Sequence, residues 1–357
     1  MKSRHNLPPG TLRFGLALLV SLGSVAASLG QGPGGDAADE APVLVRSFTA
    51  VETPSPPFEN GEFAVESGET IAFLGGTNTF DQQRHAHLET RFHLAWPKHR
   101  LRFRNLAWQG DTLYHQARPR YFYTVEGDPQ PGSSPDNRER IEPGIVFLDF
   151  GKVESLDGRE SLPRFIAAYA ELLDRLQTRT NRLVLVLPTP FFPVGPAADL
   201  AKSRNVVLGE FAAAMRGLAE ERGLVVVDTF SPLLQSLDPA LSSNGIHLTE
   251  TGHAKVAAII ADQLEIPAGA ESEADPAIGQ SLDQSIQRKN RLWQQYYRPT
   301  NWAFLFGDRQ HVPASRDHVD TSKRWLVDEI GSLPPLIAET EADIHRYAAE
   351  ASAPSPR

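Results

Sequence analysis

The sequence predicts an α/β protein built on a five-stranded parallel sheet, and three observations carry that reading. Five short apolar runs alternate with segments of helical period, the sequence form of a parallel sheet covered on both faces. With 357 residues, 41% hydrophobic and 22% charged, the chain can bury a sizeable core and lacks the composition of disorder. It has no cysteine, which excludes a disulfide scaffold, a thiolate metal site and a Cys nucleophile.

Along the chain, Lys2, Arg4 and Arg13 precede an apolar run from Phe14 to Leu29 with small residues near its end, the pattern of a secretory signal peptide over residues 1–30. Export is therefore expected, with cleavage between about Ser28 and Gln31. Residues 31–60, rich in Gly, Pro, Ala and acids, read as a flexible linker. A main domain is expected over 61–267. Its strands are Ile71–Leu74, Leu101–Leu106, Ile145–Phe150, Leu183–Leu187 and Leu224–Val227. Its helices are Gln82–Ala95, then Leu162–Leu176 with an apolar face of Phe165, Tyr169, Leu172 and Leu173, then Asn205–Arg222. A last helix over Ala254–Leu264 is announced by Thr249-Glu250-Thr251. A second linker is expected at 268–285, then an arm over 286–350 whose aromatic and basic residues cover the main domain.

The formal charge of −9 has no basic stripe, which argues against nucleic acid as a partner. No metal or other cofactor is expected. His85 and His87 would diverge on a helix, and His93 and His99 have no partner at zinc-finger spacing.

Four loop segments carry the chemistry. Gly75-Gly76-Thr77-Asn78 follows the first strand and places a hydroxyl at a strand's carboxyl end. Asn105-Leu106-Ala107-Trp108-Gln109-Gly110-Asp111-Thr112 follows the second, Phe150-Gly151-Lys152-Val153-Glu154-Ser155 the third, and Asn244-Gly245-Ile246-His247-Leu248 precedes the last helix. In this order they resemble the four blocks of the SGNH, or GDSL-type, hydrolases, and more narrowly secreted SGNH-like modules of planctomycete-type bacteria. The resemblance implies a flavodoxin-like three-layer sandwich whose four loops meet in one cleft at the sheet's carboxyl edge. It also implies hydrolysis of a small-molecule or glycan ester; no cofactor is expected and, once the leader is cleaved, no membrane.

The resemblance implies roles residue by residue. Thr77 stands in the place of the family's Ser nucleophile and Gly76 in that of the Asp before it; Gly110 keeps a backbone donor for an oxyanion. Val153 replaces an Asn donor, which removes about 2.7–4 kcal/mol of transition-state stabilisation. His247 matches the general base, yet Asn244 replaces its Asp partner, a loss worth about four decades in a serine-protease triad. Glu154 or Asp111 would then be the substitute carboxylate. Gly76, Asn78, Trp108, Asp111, Val153 and Asn244 are the expected substrate contacts. Two readings stand: an esterase or acyl hydrolase, weakened or inactive, and a non-catalytic glycan-binding module that stacks ligands on Trp108, His115, Trp293 or Trp302.

Overall fold

The structure, a computed structural model, describes residues 51–116, 118, 141–196, 198–268, 276–305 and 307–353. The expected signal peptide and residues 31–50 of the expected linker lie outside them. Strands β1 (Thr70–Gly75), β2 (Arg102–Asn105), β3 (Ile145–Asp149), β4 (Leu183–Leu187) and β5 (Val225–Asp228) form one sheet in the order β2-β1-β3-β4-β5. Every pairing is parallel, with Ile71 opposite both Phe103 and Ile145. This is the doubly wound order in which ligands collect at the carboxyl edge between β1 and β3, where the winding reverses.

Alternation along each strand divides the core. Ile71, Phe73, Phe103, Phe147, Val184 and Val186 face α2 (His87–Ala95) and α6 (Glu250–Gln263), against Phe92, Ala257 and Ile260. Ala72, Leu74, Val146, Leu148 and Leu185 face α3 (Leu162–Gln177) and α4 (Ala201–Arg222), against Phe165, Leu172, Phe211 and Met215. The result is the three-layer sandwich that the alternation of elements predicts. Short helices α1 (Thr77–Asp81) and α5 (Phe230–Ser236) follow β1 and β5.

Three expected boundaries are corrected. Residues 51–60 are not linker: Ser55 bridges to Thr180, and Phe58 is buried against Phe63 at 5.3 Å. Helix α7 (Pro276–Tyr297) begins inside the expected second linker, because Leu282 and Ile286 are fully buried. The expected helix Gln82–Ala95 breaks at His85, which is extended (φ −118°, ψ 143°) between a 3-10 turn, Gln82–Arg84, and α2. Gln82–Arg84 lacks the apolar stripe that begins at Leu88 and would hold it on the sheet.

The arm is helical. Beyond α7 come α8 (Trp302–Leu305), α9 (Trp325–Gly331) and α10 (Leu333–Ala351), with Ile344 of α10 packed among Leu282, Ile286 and Leu94. It closes the outer edge of β2, where alternate carbonyls have no strand to bond. His345 Nε2 bonds the Leu101 carbonyl at 2.9 Å, Lys289 Nζ reaches that of Phe103 at 3.5 Å, and Trp293 Nε1 donates to that of Asn105 at 2.9 Å. Buried ion pairs of Lys289 with Glu89 (2.7 Å) and Arg104 with Glu341 (2.6 Å) complete the junction. Among the described residues no helix is long and apolar enough to cross a membrane.

His93 is buried at this junction beside His345 and Lys289; burial first, then these two neighbours, holds its imidazole well below the usual range. A base with a depressed folded pKa binds fewer protons folded than unfolded, so stability is lost as pH falls below about 6.5. Urea denaturation of His93→Leu between pH 7 and 4.5 should show a shallower loss than wild type. The difference in slope should approach, at most, about 1.4 kcal/mol per pH unit.

Candidate functional site

The loops after β1 and β3 and the segment before α6 meet at the carboxyl edge, in a cleft lined by Gly76, Thr77, Asn78, Asp111, Val153 and His247, among others. Gly75 has no room for a side chain, since a Cβ would lie 2.7 Å from the Asp149 carbonyl. That close approach turns the chain out of β1 and sets Thr77 at the first position of α1. Thr79 Oγ1 donates to Asp149 Oδ2 at 2.8 Å, and Asn105 Nδ2 donates to the Thr79 carbonyl at 2.6 Å.

Asn78 also lines the cleft, but its amide is occupied. It donates to the Ile246 carbonyl (3.1 Å) and accepts from the Leu248 N–H (3.0 Å), clamping the residues on either side of His247. Lys152, in the third loop segment, is buried at the wall of the cleft. Its ammonium donates to Ile246 O (2.9 Å), Pro190 O (3.0 Å) and Thr189 Oγ1 (3.1 Å). Burial lowers Lys152 to about 7, with Asp149 opposing, and burial raises Asp149 to about 6, with Thr79 and Lys152 opposing. The sequence assigned neither residue a role, because the partners of Lys152, two backbone carbonyls and the Thr189 hydroxyl, are far off in sequence.

Neither candidate carboxylate is available to His247. Glu154 is buried and accepts from the Gly151 N–H (2.9 Å) and the Leu113 N–H (2.8 Å), joining the third loop to the second. Asp111 is buried in a bidentate pair with Arg118 at 2.7 and 2.6 Å. What meets the ring is Asn244. Its Oδ1 accepts from the N–H groups of Ile246 (3.1 Å) and His247 (2.9 Å), which leaves its NH₂ facing His247 Nδ1 at 3.1 Å. An amide NH₂ only donates, so Nδ1 accepts and the ring proton sits on Nε2. Gly245, at φ +90°, makes the turn between them, and a Cβ there would lie 2.7 Å from the Val194 carbonyl.

Of the remaining candidates, all but Val153 lie outside the residues that line the cleft. Gly110 sits exposed at φ +82° in the turn closed by the Asp111 N–H on the Trp108 carbonyl (3.0 Å), outside the residues that line the cleft. Trp108 is no stacking platform, being buried between the guanidiniums of Arg118 (4.4 Å) and Arg298 (4.2 Å). Trp293 is fully buried and stacked on Tyr297 at 5.4 Å, and Trp302 packs against the core. His115 is exposed and lies outside the cleft lining. Val153 is half-exposed and lines the cleft with no donor to offer.

Solved structures similar to this one include a gut microbial diltiazem-metabolizing enzyme, 13% identical, TM-score 0.55, with 81% of this chain and 96% of that chain covered. An acetylxylan esterase from Geobacillus stearothermophilus, solved as a catalytic mutant, is 16% identical over 57% of this chain and 98% of its own, with a TM-score of 0.43. A GDSL-like lipase from Parabacteroides merdae is 17% identical over 58% and 100%, with a TM-score of 0.44. No curated protein matches the sequence. The family description GDSL-like lipase/acylhydrolase matches residues 73–255, the span from β1 into α6 that carries Thr77, Val153 and His247. The chain belongs to the GDSL-like lipase/acylhydrolase family.

Proposed function

We propose that this protein is an acyl-ester hydrolase of attenuated turnover, with Thr77 in the nucleophile position and His247 as its base. The observation that carries the attenuation is the Asn244 amide on His247 Nδ1. A base for Thr77 needs a lone pair on Nε2, and the Asn244 amide keeps a proton there. Loss of the carboxylate in a Ser-His-Asp triad costs about 10⁴ in rate through the wrong tautomer. The missing donor at Val153 adds roughly 10²–10³, and losses of groups that act together do not simply multiply. When the ring does present Nε2, Thr77 Oγ adds to the ester carbonyl as its proton passes to Nε2. The alcohol leaves with that proton, and water then releases the acyl group from Thr77.

The same scaffold without turnover, a binding module, is the reading favoured if the wild-type tautomer is never overcome. Hydrolysis of 4-nitrophenyl acetate separates the two. Asn244→Asp should raise kcat/KM about tenfold or more and gain further from Val153→Asn and Thr77→Ser. A folded triple variant no faster than Thr77→Ala would leave only the binding module.

Glu154 is assigned to bracing rather than chemistry. Glu154→Ala should cost about 2–5 kcal/mol in denaturant unfolding, because two buried N–H groups lose their acceptor. A large fall in kcat in the Asn244→Asp background with no loss of stability would instead make Glu154 part of the triad.

A further inference from the structure

A second cavity opens between the start of α2 and α6, lined by His85, His87, His253, Gln82, Val256 and Ile260. It shares no lining residue with the ester cleft. His85 lies outside the helix, extended at the end of the 3-10 turn, while His87 opens α2, so the pair does not sit on one continuous helix as expected. The two rings lie nearly parallel, 5.7 Å apart. Glu250 reaches them from the first turn of α6, and the ligand atoms of His85, His87 and Glu250 all lie within 4.8 Å of one another. His253, one turn along α6, packs its ring 5.0 Å from that of His85.

A second observation points to an occupant. His87 Nε2 is buried and has no hydrogen-bond partner. A buried ring nitrogen is ordinarily satisfied, and an unsatisfied one beside two other donors is the arrangement that a cation completes.

We propose that His85, His87 and Glu250 bind a divalent transition-metal ion of the zinc type, with His253 packed against His85 as the wall that orients it. Two imidazole nitrogens and one carboxylate oxygen suit zinc, cobalt or nickel, whereas magnesium and calcium favour oxygen donors alone. Donors at about 2.1 Å from one ion lie no more than about 4.2 Å apart, so binding draws the side chains together. Exposed Glu250 can supply that movement. Three protein ligands leave a tetrahedral ion one position for water. The ion would cross-link the turn after α1 to the start of α6, close in sequence to His247, and its binding does not depend on ester turnover.

The test is titration of the untagged full chain, stripped with EDTA, by zinc in a calorimeter and by cobalt followed through its visible absorption. One ion per chain is expected, with affinity unaffected by excess magnesium. His85→Ala, His87→Ala and Glu250→Gln should each weaken it tenfold or more, and His115→Ala should not. Glu250→Gln alters an exposed side chain, so it decides the matter should a histidine variant fail to fold. Absence of saturable one-to-one binding, or binding of equal strength in Glu250→Gln, would overturn the site.

Discussion

Asn105 joins the parts of this molecule that matter for its site. Its carbonyl accepts the indole N–H of Trp293, its side-chain oxygen accepts the Ala107 N–H, and its amide donates to the Thr79 carbonyl. One residue at the end of an edge strand thus ties the arm, the second loop and α1 together. The constraint behind it is general: a parallel edge strand leaves every second carbonyl facing outward, and a buried carbonyl without a donor is costly. The arm meets it with His345, Lys289 and Trp293 at residues 101, 103 and 105. It is therefore part of the sheet's completion rather than an appendage.

The same requirement builds the carboxyl edge. Loops leaving a parallel sheet carry backbone groups that no ladder satisfies, and here buried side chains from neighbouring loops serve them. Lys152 and Asn78 both donate to the Ile246 carbonyl, Glu154 accepts from two N–H groups, and Asn205 brackets Phe191 with bonds of 2.8 Å to its N–H and carbonyl. Residues that look catalytic by charge and position are thereby committed to scaffolding. This is why Glu154 and Asp111, both at the correct edge, do not supply a carboxylate to His247.

A single amide then decides the chemistry available. Asn244 and Asp are nearly the same size, and the Oδ1 bonds to Ile246 and His247 would be kept by either. The difference lies in the second atom, which donates to Nδ1 where a carboxylate would accept from it. The loop geometry would be kept by either residue, and only the hydrogen bond at Nδ1 changes its direction.

The sequence by itself determined the layer architecture, because helical and strand periods alternate in order and an all-parallel sheet must be buried on both faces. The resemblance of its four loop segments to a known family also implied that Thr77, Val153 and His247 share one edge. The sequence put His85 inside a helix and the start of α7 inside a linker, and it left open whether each Trp faces a ligand or the core. Those depend on tertiary contacts: Leu282 and Ile286 bury the start of α7, and Arg118 and Arg298 enclose Trp108. Only the tertiary structure showed that Glu154 and Asp111 are already bonded and that Asn244 faces Nδ1. Hydrogen-bond partners are set by which loops meet in space, and a sequence orders residues along the chain without stating those meetings.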